Sequence, residues 1–164
     1  MSLIHRIARA IALLAWGIWL GGLVALGAIS APLVFRNVPA PYSADAMTLV
    51  FRRFDLVAMV CAAIVVAREL VALMGTATIR KVDTARIVSA LVAATLAVVE
   101  GVWLSPVIEE LHRAGAVRGV GELGERLAVM HTRAEGVSKV ELLCLMAFIV
   151  FVVFSDPPAK TAAG

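Results

Sequence analysis

Four long apolar stretches, residues 10–35, 56–79, 87–108 and 142–154, occupy most of this chain. A run of ~20 mostly apolar residues crosses the ~30 Å hydrocarbon core of a bilayer as a helix. Inside lipid every backbone N–H and C=O must be satisfied within the protein, and continuous runs of this length do so as helices. The expected fold class is therefore all-α, a polytopic membrane protein with four transmembrane helices in a bundle. The spans are expected at about 7–35, 54–78, 85–113 and 123–154, in one domain over 1–155, with a disordered tail over 156–164.

Composition supports this. Of the 164 residues, 62% are hydrophobic and 16% charged, with mean hydropathy +0.96. A soluble domain carries roughly a quarter charged residues. The net charge of +3 is small and spread out, which argues against a nucleic-acid partner. The expected partners are the lipid bilayer and, as a homo-oligomer, further copies of the chain. Cys61 and Cys144 lie in apolar segments and are expected to be buried small hydrophobes.

Arg6 and Arg9 precede the first run, and Ala28-Ile29-Ser30 offers small residues, as in a signal peptide. The run is about twice a typical h-region and Pro32 follows at once, so the segment is expected to stay as the first spanning helix. Gly17 and Gly21 form a G-x-x-x-G pair with Gly22 beside it, spacing that lets a neighbouring helix approach closely. Pro32 is expected to bend or stop this helix. A short interfacial helix is expected over 44–54, with Met47, Val50, Phe51 and Phe54 on one side.

Charges inside the apolar runs are the candidate chemistry, because an intramembrane charge costs at least ~2.5–3.5 kcal/mol. Counting back from Arg80 and forward from Arg86 places Arg68 and Glu100 at about 18 and 21 Å from the loop between the second and third helices. Matched depths predict a pair, either an ion relay or a structural pair that fixes register. Glu69 is an alternative partner or a cavity-lining residue. On the fourth helix, His131, Glu135 and Ser138 follow helical spacing and are expected on one face. His131 is expected to be partly buried and hydrogen-bonded, with His112 and Glu135 as candidate partners. Met130 and His131 would suit a soft metal or haem iron, yet the bland alternative is an interfacial histidine. No catalytic residue, metal or cofactor is assigned. The sequence has no G-x-x-x-x-G-K-[ST], C-x-x-C, H-E-x-x-H or G-x-S-x-G. The basic residues Arg6, Arg9, Arg80, Lys81 and Arg86 favour both termini in the cytoplasm, in the inner membrane for a bacterial chain.

Several stretches together carry a resemblance. Trp19-Leu20-Gly21-Gly22, then Ala31-Pro32 and Phe35, resembles the first-helix pattern of the transmembrane protein 205-like family (domain of unknown function 4149). Pro106 with Ile108 and Leu111 is similar to that family's third-helix stretch, and Met130-His131 to its Leu-His signature. Ala134 and Ser138 stand where the family pattern has a serine and an asparagine. The resemblance implies a four-span membrane protein without an assigned reaction; copper-resistance protein D-type membrane proteins are similar in layout only. The expected function is accordingly a non-enzymatic membrane assembly or partner-binding protein. The alternatives are a small transporter or metal-handling protein using Arg68, Glu100 and the His131 face, and a haem-bearing redox protein.

Overall fold

The computed structural model describes residues 3–75 and 79–155. Four long helices run up and down: α1 (Leu3–Asn37), α2 (Tyr42–Met74), α3 (Lys81–Arg113) and α4 (Gly121–Ser155). Each is apolar and long enough to cross a membrane. The tail expected beyond residue 155 lies outside the described residues. The helix expected over 44–54 is not separate. It is the first third of α2, continuous with the span, because no glycine or proline interrupts the chain after Pro41.

Two π-helical segments, Ala25–Ser30 in α1 and Glu100–Leu104 in α3, interrupt the α-helical pattern. Each lies just before a proline, Pro32 or Pro106. Proline has no N–H to give back to the preceding turn, and a wider turn accommodates the loss. Neither proline stops its helix, so the expectation of a stop at Pro32 gives way to a local widening. In α3 the Ser105 N–H reaches back to the Glu100 carbonyl, a π-type bond. Pro106 cannot continue that pattern, and the carbonyl next in line, that of Gly101, instead accepts a 2.7 Å hydrogen bond from Arg52 Nη1 on α2.

Sequential neighbours pack side by side, α1 on α2, α2 on α3 and α3 on α4, and α4 returns to touch α1. The main core joins Trp19 to Ala58, Cys61, Ala62 and Val65 of α2, Ala90, Ala93 and Ala97 of α3, and Leu145 and Phe148 of α4. Small residues at these positions let helix backbones approach, which is how membrane helices gain packing energy without a hydrophobic drive. A second, smaller core of Ile108, Leu111 and Leu127 ties the end of α3 to the start of α4.

The helix α1 is the outlier. Only 6% of its most apolar window is buried. Two indoles fasten it to α4: Trp16 Nε1 donates to the Leu145 carbonyl at 3.0 Å and Trp19 Nε1 to Glu141 Oε1 at 2.6 Å. Of the three glycines expected to pack, Gly22 alone does so, with the Phe54 ring of α2 occupying the space a Cβ would need. Gly17 and Gly21 have nothing within 4 Å of a built Cβ.

Replacing Gly22 by Ala should therefore lower stability by roughly 1–3 kcal/mol through overpacking against Phe54. Gly21→Ala should leave the melting temperature of the detergent-solubilised protein unchanged or raised. Equal melting temperatures for the two variants would contradict this packing.

Candidate functional site

The polar side chains inside the bundle fall into two groups at different depths. The first lies where α2 and α3 meet their connecting turn. Glu69 of α2 is 2% exposed and accepts from Arg86 Nε at 2.7 Å and from its own neighbour Arg68. Arg86 also contacts Asp83 at 3.3 Å. Arg80 bonds Asp83 at 3.0 Å and the Ser155 carbonyl at the end of α4. Every acidic member here has an arginine, so the group behaves as a compensated ion-pair network. Two cavities of about 170 and 30 Å³ adjoin it. Both are smaller than the ~300–1,000 Å³ of typical small-molecule sites.

This group overturns the expected Arg68–Glu100 pair. Arg68 bonds Glu69, and Glu100 lies on the far side of the core. The depth estimate miscounted because α2 ends at Met74 and α3 starts at Lys81, so residues near 80 contribute no helical rise to α2. Glu69 and Arg86 stand equally far from those two helix ends and therefore meet. Asp55 and Glu100 also stand equally far from them, about 21 Å of helix further along.

That second group is the candidate site. Glu100 starts the π-helical segment of α3 and accepts from Ser138 Oγ of α4 at 2.6 Å. Glu141, one turn further along α4 and 1% exposed, takes the Trp19 indole N–H on Oε1. The Glu100 and Glu141 carboxyls are within hydrogen-bonding range of each other. Asp55 of α2, 7% exposed, lies near the Ser105 hydroxyl and adds a third acidic group to the neighbourhood. Three helices thus bring three carboxyls together, and the fourth supplies Trp19.

Donors are too few for these acceptors. Among the described residues Glu141 Oε2 and Asp55 Oδ2 are buried with no hydrogen-bond partner. Arg52 Nη1 comes only to 4.0 Å of Asp55 Oδ2. A hydrogen bond between two carboxyls requires a proton on one of them, since an ionised carboxylate can only accept. Among the described residues no three His, Cys, Asp or Glu side chains are arranged to hold a metal ion. A proton on one of these carboxyls would supply the missing donor.

The expected His131 face divides. His131 is half-buried, its ring edge-on to that of His112 with centroids 5.7 Å apart. Ser138 points into the bundle to Glu100, whereas Glu135 is exposed and bonds Lys139 at 2.7 Å. At 100° per residue Glu135 is displaced about 40° from His131 in one sense and Ser138 about 20° in the other, enough to straddle the bundle edge. Trp19, Asp55 and Glu141 were not expected in the site. The equal spacing of Asp55 and Glu100 from the hairpin would have flagged Asp55. Glu141, just before an uncharged run too short to span alone, would have flagged the last.

Fold and site together define a four-span membrane bundle with an acidic cluster inside it. The chain belongs to a family described as a domain of unknown function (DUF4149), whose pattern matches residues 14–116. That match includes Trp19, Asp55, Glu100 and Ser105 and ends before Ser138 and Glu141. No curated protein and no solved structure matches the chain.

The two groups make opposite predictions. Glu69→Gln strips Arg68 and Arg86 of a shared buried counter-charge and should cost about 3–5 kcal/mol. Glu100→Gln keeps an acceptor for Ser138 and adds N–H donors towards Glu141, so its melting temperature should match or exceed wild type. A larger loss for Glu100→Gln than for Glu69→Gln would overturn the assignment of roles.

Proposed function

We propose that this is a non-enzymatic, proton-handling membrane protein whose Asp55–Glu100–Glu141 cluster binds and releases protons inside the bilayer. The observation that carries this is the pair of buried carboxylate oxygens, one on Asp55 and one on Glu141, that have no hydrogen-bond donor among the described residues. Ionisable groups held inside a membrane bundle mark ion pathways and proton relays by default. The basic N-terminal segment and the basic start of α3 favour termini on the cytoplasmic side.

Infrared difference spectra of the protein in lipid, taken across a pH step, test this. A protonated-carboxyl band should change in wild type and be altered in both Glu100→Gln and Glu141→Gln. Spectra identical in all three would refute it.

A second reading, assembly with further copies, has its own support. Gly17 and Gly21 are unencumbered on the least buried helix. Close helix approach at such a face should yield a crosslinkable dimer in lipid that Gly21→Leu abolishes without changing the monomer's melting temperature. Equal crosslinking in both would leave the assembly reading unsupported.

A further inference from the structure

The surroundings of the acidic cluster differ sharply on its two sides. Towards the α3–α4 loop, polar groups run without a break from the surface inward. Arg113, 76% exposed, bonds Glu109, and Glu109 accepts from Arg52 Nε at 3.1 Å. Arg52 in turn approaches Asp55, which lies near Ser105 and close to Glu100. The chain ends at Glu141 and Trp19. Beyond Glu141, towards the chain termini, the core is apolar: Val65, Ala93, Ala97, Leu145 and Phe148 are each at most 3% exposed. This block separates the cluster from the Glu69–Arg86 network, about 21 Å away along α3.

Resting on the proton-handling reading, we infer that the Asp55–Glu100–Glu141 site exchanges protons with the α3–α4 loop side of the membrane only. The Arg52–Glu109 ion pair stands at the entrance and the alanine, leucine and phenylalanine block seals the termini side. A proton entering past Arg52 meets Asp55 first, then Glu100, and is retained between Glu100 and Glu141. Nothing but a proton moves, and no bond other than O–H forms or breaks. The groups facing Glu141 are Trp19 from α1, Asp55 from α2, Glu100 from α3, and Cys144 of its own helix. Trp19 is thereby a built-in reporter, since its indole donates to the carboxyl group that gains or loses the charge.

The test uses full-length protein with Trp16→Phe and Trp103→Phe, leaving Trp19 as the single tryptophan, in sealed vesicles sorted by an N-terminal tag. A pH step is applied outside. With the termini outside, Trp19 emission should hold steady until a protonophore lets the inner pH follow; with the termini inside, it should change at once. Adding Glu141→Gln should abolish the response in both. A prompt response in both orientations, or only with the termini outside, would overturn one-sided access while leaving the proton site standing. No response in either orientation, even with protonophore, would overturn the proton-handling reading and this inference with it. A response that survives Glu141→Gln would show that Trp19 reports another group and would likewise overturn both.

Discussion

Glu69 is enclosed by α1, α2, α3 and α4 side chains and neutralised by two arginines, and the register of the whole bundle follows from where it sits. A buried carboxylate without its counter-charge is destabilising by several kcal/mol, so α2 and α3 cannot slide without breaking this contact. With Glu69 opposite Arg86, antiparallel helices rising equally per residue must bring Asp55 opposite the Glu100 turn. Gly101 then lies against Asp55 and Met59, where a Cβ would meet Asp55 Cβ at 3.2 Å and Met59 Cε at 3.1 Å. The compensated network at one end therefore positions the acid-rich cluster at the other.

The two groups show how the same residue types serve different ends. Around Glu69 the positive partners match the negative ones, and hydrogen bonds use the carboxylate's two oxygens. Around Glu141 the donors are a hydroxyl and an indole, neither charged, and acceptors remain over. A structural ion pair needs no further ligand; a group of acids short of donors does. Both costs are borne inside one small bundle. Its alanine-rich core keeps the helices close enough for such short side chains to meet.

Much of the architecture was legible because the bilayer leaves so few options. Length and hydropathy alone lead from 62% hydrophobic residues to four helices. Depth was not legible to the same accuracy. Placing Arg68 against Glu100 required knowing where the second helix stops. Counting from Arg80 when the helix ends at Met74 moves a charge by ~9 Å, more than one and a half turns, and Ile79, apolar but outside any helix, disguised the true end. Azimuth was harder still. His131, Glu135 and Ser138 share a stripe by spacing, yet a stripe at the edge of a bundle is cut by it, and one residue faces in while another faces out. Trp19 was visible as part of a motif. Its role was not, because a tryptophan in an apolar run reads as packing until its N–H is seen on a carboxylate.

The prolines link these levels. Pro106 lacks the N–H that would close the turn onto Gly101, so a carbonyl is left open inside the bundle. In water such a group would be solvated; among packed helices it needs a protein donor. Arg52 supplies it, and Arg52 is thereby drawn from the helix surface to a position between Glu109 and Asp55. The same local widening sets the start of the π-helical segment at Glu100, whose side chain it directs towards α4. One missing hydrogen thus accounts for both the cation at the mouth of the polar path and the placement of a carboxyl at its centre. Wide turns of this kind recur at functional sites in helices for that reason: they free backbone groups and re-aim side chains without ending the helix.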